Sequence, residues 1–199
     1  MRMRNPKNKD DILASCKFYL DENMFASKNK VHMEIGMGKG DFIINMAQKY
    51  PDINFIGVEK YSSVACKMIQ KIKDLDIPNL KILICDAANL PEYLNGKIST
   101  IYLNFSDPWP KARHEKRRLT SINFLKYYDN LFKDKKTIVL KTDNDDFYAF
   151  SRESILNYGY TILQESLDLH SENISNVKTE YETKFASLGI KIKYLKVEK

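Results

Sequence analysis

Four carboxylates, Glu34, Glu59, Asp86 and Asp107, each stand at or near the end of an apolar run. The first is followed at once by Gly36, Gly38 and Gly40. Glycines at that spacing let backbone approach a ligand closely, and the helix that follows presents free N–H groups. The pattern is GxGxG, not the GxGxxG that seats a pyrophosphate. Glu34 also puts negative charge where a dinucleotide would bring phosphates, so a ligand carrying an ammonium and a sulfonium group suits the position better. Glu59 can accept from both hydroxyls of a ribose, through the stronger class of O–H···O⁻ hydrogen bond. Asp86 can accept from an exocyclic amine on adenine. Alone, each acid is as easily a cap or a solvated group. In this order the three point to S-adenosylmethionine (SAM).

The fourth carboxylate opens a different chemistry. It lies in NFSDPWPKARHEKRRLT, residues 104–120. Asp107 precedes Pro108, which pushes its backbone towards extended geometry. Pro108 and Pro110 bracket Trp109, the sole tryptophan. A tight aromatic turn can hold a planar base by stacking while the carboxylate accepts from the base edge. Guanine, with adjacent N1–H and N2–H₂ donors, fits a carboxylate best. The next eight residues carry Lys111, Arg113, Lys116, Arg117 and Arg118 against Glu115. Such a run would clamp phosphates, contacts that position a nucleic acid without reading its sequence. Lys141, Thr142, Asp143 and Asn144 add polar groups at the carboxyl edge where open α/β sheets bind ligands. His32, His114 and His170 are scattered and show no pattern for a metal or a nucleophilic triad.

The elements that must position these groups alternate. Strands are expected at 31–36, 54–59, 80–85, 98–105, 136–141, 160–166 and 185–197, and helices at 41–50, 62–73, 120–132 and 144–157, with Thr120 or Ser121 as a cap. A short helix is expected within 11–21. Strand and helix in alternation imply an α/β fold, a mainly parallel sheet with helices on both faces. Residues 1–30 read as a basic arm plus the short helix, and 31–199 as one domain.

Composition narrows the partners. The chain has 199 residues and a formal net charge of +6. No apolar run approaches the roughly 20 residues that span a bilayer, and the basic N-terminus is unlike a secretory signal. Cys16, Cys66 and Cys85 form no CxxC pair, which argues against disulfides and a zinc site and fits a reducing cytoplasm. On these residues three readings stand: an RNA methyltransferase, a methyltransferase of small molecules or proteins, and a non-catalytic RNA-binding domain. The second leaves the basic run unexplained; the third leaves Glu34, Glu59 and Asp86 unexplained.

EIGMGKG from Glu34, GVE ending at Glu59, the Asp86 strand end, the 104–120 stretch, KTDN and TEYETKF together resemble the tRNA (guanine-N7-)-methyltransferase family over about residues 31–187. That resemblance implies a Rossmann-like class I methyltransferase fold, with a mostly parallel seven-stranded sheet and an antiparallel last strand. It implies SAM as cofactor, held at Glu34, Gly36, Gly38, Gly40, Glu59, Asp86 and Asp107, with Asp107 also catalytic. It implies substrate contacts at Lys111, Asp143, Thr179, Glu180, Tyr181 and Glu182. RNA contacts would come from Arg113, His114, Glu115, Lys116, Arg117 and Arg118. The target would be guanine 46 of the tRNA variable loop. The expected partner is tRNA, with no membrane and no metal, for a cytoplasmic monomer or homodimer.

Overall fold

The computed structural model describes residues 6–199. Residues 1–5 of the expected basic arm lie outside that range. Seven strands form one sheet: β1 (Lys30–Ile35), β2 (Ile53–Glu59), β3 (Leu80–Ile84), β4 (Ile98–Asn104), β5 (Phe132–Thr142), β6 (Thr161–Ser166) and β7 (Lys193–Glu198). Their spatial order is β3-β2-β1-β4-β5-β7-β6. β7 runs antiparallel to both β5 and β6, while β1 to β5 pair in parallel. The α/β class, the seven strands and the antiparallel last strand are as expected. The chain leaves β1 outward through β2 and β3, then returns to β4 on the other side. That reversal opens a crevice at the carboxyl ends of β1 and β4.

Alternate residues of each strand face opposite layers. One layer packs Met33, Ile56, Ile101 and Leu140 with Leu125 and Tyr128 of α5 (Ile122–Asp129) and Phe147 of α6 (Asp145–Asn157). The other packs Phe55 and Ile82 with α1 (Lys9–Ala14), α2 (Asp41–Lys49) and α3 (Ser62–Ile72). A single-turn α4 (Pro91–Leu94) precedes β4.

Four elements differ by more than one residue from the sequence reading, among them β5, which begins at Phe132 and not at 136. The helix expected within 11–21 spans Lys9–Ala14, and the chain then extends so that Phe18 and Leu20 exchange backbone hydrogen bonds with Ile82 at the sheet edge. The helix expected to reach 132 stops at Asp129 because Phe132 already belongs to β5. Its N-cap is Ser121, whose hydroxyl donates to the Lys116 carbonyl and so does not cap the helix. The last strand is not 185–197. Thr179 and Glu182 close a capping box that starts α7 (Glu180–Ser187), and Gly189 ends it at φ 74°, so the alternation becomes a strand only from Lys193.

Asn79 ties one edge of this frame. Its amide nitrogen reaches the carbonyls of Ala47, Tyr50 and Ile53 at 2.9, 3.2 and 2.8 Å, joining the end of α2 to the start of β2. Asn79→Ala removes these hydrogen bonds, leaving the Tyr50 carbonyl only the Ile53 N–H, and should cost about 1–3 kcal/mol in urea unfolding. Asn79→Asp should cost more, since it turns a carboxylate on three carbonyl oxygens; equal losses would mean that the contact is not a hydrogen-bonded one.

Candidate active site

The crevice between β1 and β4 is shaped first by the glycine turn. Gly36, Gly38 and Gly40 all have positive φ (81°, 57° and 81°), which side chains with a Cβ rarely adopt. Gly36 and Met37 both donate to the Val58 carbonyl at 2.9 Å, so the turn folds back over the end of β2. There Gly57 leaves room for Met37; a Cβ would collide with its sulfur. Glu59, next along β2, accepts from Gly38 N–H at 3.2 Å and from Tyr61 N–H at 2.9 Å. Burial pushes its carboxyl up, and the amides pull against that shift. Asp107 lies close enough for its charge to add to the upward push.

Glu34 sits at the floor of the crevice, 2% exposed. Asn104, at the end of β4, donates its amide to Glu34 Oε1 at 2.8 Å. Glu34 Oε2, Asn104 Oδ1 and the Ser106 hydroxyl are buried with no hydrogen-bond partner among the described residues. Desolvation raises the Glu34 carboxyl to about 7, against the Asn104 hydrogen bond and the charge of Lys141. A buried carboxyl poised near neutrality beside an orphaned acceptor marks a binding site for a cation or a hydrogen-bond donor. Asp86 lies nearer the rim, capping the turn at Ala88 N–H and pairing with Lys60 at 2.6 Å, so its carboxyl is held low.

The opposite wall comes from α7. A pocket of about 200 Å³ is bounded by Glu34, Met37, Phe42 and Asn104 on one side and by Phe105 and Tyr181 on the other. Tyr181 stacks on Phe185 at 4.0 Å and tilts against Phe105 at 4.8 Å, and its hydroxyl donates to Asp143 at 3.1 Å. Lys39 of the glycine turn pairs with Glu180 of α7 at 2.7 Å, joining the two walls. Thr179 and Glu182 serve the frame: Thr179 caps α7, and Glu182 is fully buried against Lys141 at 2.6 Å. Lys141 also donates to Val177 O and Asn176 Oδ1, and Asn176 and His170 complete the set around Glu182.

The turn after β4 is strained. Phe105 and Trp109 have φ of 51° and 43°, a backbone region costly for large side chains. Arg118 holds the turn in place: its guanidinium donates to the carbonyls of Pro108 at 3.0 Å and Trp109 at 3.3 Å and lies over the Phe150 ring at 4.2 Å. Arg117 covers the Trp109 face at 5.0 Å, and His114 meets its edge at 5.7 Å. Asp107 is exposed on this turn, as are Lys111, Arg113, Glu115 and Lys116 on the loop that follows.

The fold thus brings Glu34, the glycines, Glu59, Glu180 and Tyr181 to one crevice, with Asp86 and Asp107 at its rim and Asp143 behind Tyr181. Lys111 and the basic loop adjoin it. Asn104, Phe105 and Phe42 went unassigned in the sequence reading; the position of Asn104 and Phe105 at the close of the β4 run was the available signal. Among the described residues no cluster of His, Cys, Asp or Glu could hold a metal ion, and no helix is long and apolar enough to cross a membrane.

Comparisons with known proteins, made over the whole chain, agree with one another. A family model described as putative methyltransferase matches residues 28–195. The tRNA (guanine-N(7)-)-methyltransferase of Geobacillus thermodenitrificans is 43% identical over 96% of this chain and 94% of its own length. Its namesake from Bacillus subtilis is 43% identical over 100% and 99%. Among solved structures, the 16S rRNA methyltransferase KamB superposes with TM-score 0.69 at 14% identity over 90% of this chain and 94% of that one, and an antibiotic-related methyltransferase with 0.65 at 17% over 100% and 96%. At such identities those two speak for the fold alone.

The buried pair gives a direct check on the wall. Lys141→Met strands the Glu182 charge and should cost about 3–5 kcal/mol, while Lys141→Met with Glu182→Leu should recover most of the loss. Thermal unfolding of both variants measures this. A double variant as unstable as the single one would mean that the hydrogen bonds to 176–177, and not the charge, carry the stability.

Proposed function

The chain belongs to the tRNA (guanine-N(7)-)-methyltransferase family, and from that premise we propose that it transfers a methyl group from SAM to N7 of a guanine in tRNA, guanine 46 of the variable loop. The observation that carries the cofactor assignment is the buried Glu34 carboxyl with its orphaned Oε2, beside Asn104 Oδ1. Two unpaired acceptors next to a glycine turn fit the ammonium group of the methionine moiety. Gly36, Gly38 and Gly40 give its carboxylate and sulfonium close backbone approach, Glu59 takes the ribose hydroxyls, and Asp86 the adenine amine. Bound there, the cofactor supplies an electrophilic methyl on sulfur.

The chain's own task is alignment. Guanine N7 carries a free lone pair at neutral pH, so no general base is needed. What remains is to hold N7, methyl and sulfur in line. Asp107 on the strained turn accepts from the guanine N1–H and N2–H₂ edge and offsets the positive charge that forms on the methylated ring. Tyr181 and Phe105 offer the base an apolar wall, with Asp143 fixing the Tyr181 hydroxyl. Lys111, Arg113, Lys116 and Arg117 hold flanking phosphates. Thr179 and Glu182 act from beneath, by setting α7, and Arg118 by bracing the Pro-Trp-Pro turn.

Methyl transfer from radiolabelled SAM to unmodified tRNA, followed by nucleoside analysis, tests the reading. Label is expected in 7-methylguanosine and is expected to vanish from a tRNA with adenine at position 46. Asp107→Ala should lower kcat about 100-fold or more with the SAM Kd changed by less than a few fold. Equal loss of both would place Asp107 in the cofactor site instead. SAM affinity also has a pH signature. Below about 7 Glu34 holds a proton that a cationic ligand must displace, so affinity should rise up to tenfold per pH unit towards 7 and level off above it. Calorimetric titration across pH 5.5–8.5 checks this, and Glu34→Gln should bind weakly with no such slope.

A further inference from the structure

One face of the sheet is only partly covered. α2 lies over β2 and β3, and the segment 167–178 lies over Val139 and Tyr194 near the carboxyl end of β5 and the amino end of β7. Between and below them runs an open groove of about 960 Å³ across β1, β4, β5 and β7. Its floor includes His32, Thr100, Tyr102 and Thr137. Its upper end reaches Phe42, which also lines the active-site pocket, so groove and crevice are neighbours.

The charge in this groove is one-sided. Among the described residues Asp134 and Glu198 are its only acids, and Glu198 is taken by Lys135 at 2.8 Å. Lys97 is neutralised by Glu22. Lys28, Lys30, Lys133 and Lys196 line the groove and make no ion pair among the described residues. The surplus is felt at the floor, where burial first, and then Lys30 and Lys196, hold the His32 imidazole down at about 4 and therefore neutral. The hydroxyls of Thr100 and Thr137 add neutral hydrogen-bonding groups between the lysines.

We propose that this groove carries the sugar–phosphate backbone of the tRNA substrate beyond the active site, as a second RNA-contact surface distinct from the Lys111–Arg118 loop. The proposal rests on the tRNA reading above and extends it to a surface that reading does not use. Charge decides the occupant. A polyanion with free hydroxyls meets unpaired ammonium groups over a neutral, hydroxyl-bearing floor. A second copy of the chain would instead bring two sets of unpaired lysines together. The groove is open along its length, which suits a chain that continues past both ends rather than a small enclosed ligand.

The test is a triple variant, Lys30→Gln, Lys133→Gln and Lys196→Gln, in the full chain, with Arg117→Gln as a loop comparison. SAM binding and circular dichroism report that the triple variant is folded. Its tRNA Kd should rise tenfold or more at moderate salt. The slope of log Kd against log salt should fall by about 2, close to the 0.7–0.9 expected for each lost phosphate contact. The tRNA KM should rise by more than kcat falls. An unchanged Kd and slope in the triple variant, with a reduced slope in Arg117→Gln, would overturn the proposal. So would a wild-type dimer in sedimentation that the triple variant dissociates, because the groove would then be a copy-to-copy interface. A wild-type chain that binds tRNA but forms no 7-methylguanosine would fail the functional reading, while the binding comparison would still decide the groove.

Discussion

A buried ion pair has to be complete to be tolerable, and Lys141–Glu182 is the contact on which this site depends. Both side chains are out of water, 2% and 0% exposed. Desolvation pulls the Lys141 ammonium down, and the Glu182 carboxylate is the main force that keeps it charged. An unpaired charge at such depth would be costly, so the pair and its hydrogen bonds to 176–177 form together or not at all. Because Lys141 closes β5 and Glu182 lies in the first turn of α7, that requirement fixes α7 against the carboxyl edge of the sheet. Tyr181 and Glu180 then have only one place to go, the wall of the crevice opposite the glycine turn. The same ammonium lies in the field of Glu34 and partly offsets the cost of burying a carboxyl there.

The site itself combines a stiff half and a strained half. The stiff half is the glycine turn folded over β2, with Glu59 bound to two backbone amides. It leaves Glu34 and Asn104 with acceptors that none of the described residues satisfies. The strained half is the turn from Phe105 to Pro110, which holds two bulky residues at positive φ. Arg118 makes that geometry affordable by binding two carbonyls of the turn at once and stacking on Phe150. A stiff cradle suits a cofactor that is always the same, and a braced turn at the rim suits a carboxylate that must meet a base delivered by a large RNA.

Basic residues divide by what neutralises them. Lys141, Lys193, Lys39 and Lys60 are bound to acids of the chain itself. Arg117 and Arg118 are held by Trp109, Phe150 and carbonyls. Among the described residues without an ion pair, Lys111, Arg113 and Lys116 lie on the loop after Asp107, and Lys28, Lys30, Lys133 and Lys196 line the groove on the sheet face, while Lys17, Lys49, Lys126 and Lys184 lie elsewhere. The loop and the groove are two such groups beside the crevice, where a polyanion would arrive.

Much of this was legible in the order of residues. Apolar runs of strand length, each followed by a helical pattern, dictate a parallel α/β sheet, because parallel strands need a crossover between them. Carboxylates placed at strand ends must gather at one edge of such a sheet, which is why Glu34, Glu59, Asp86 and Asp107 could be read together. The basic run after Asp107 has a charge that does not depend on the fold. Partners far apart in the chain could not be read in this way. That the helix opened by Thr179 and Glu182 docks on the sheet edge depends on Lys141, some forty residues earlier. That Arg118 braces the turn, rather than reaching outward like its neighbours, depends on Phe150 packing above it. That Glu34 rests near neutrality depends on complete burial beneath Asn104, and that four lysines share one groove depends on the register of four strands. Local pattern sets which groups a strand end offers; burial, pairing and strain are sums over the whole packed molecule, and only the tertiary structure assigns them.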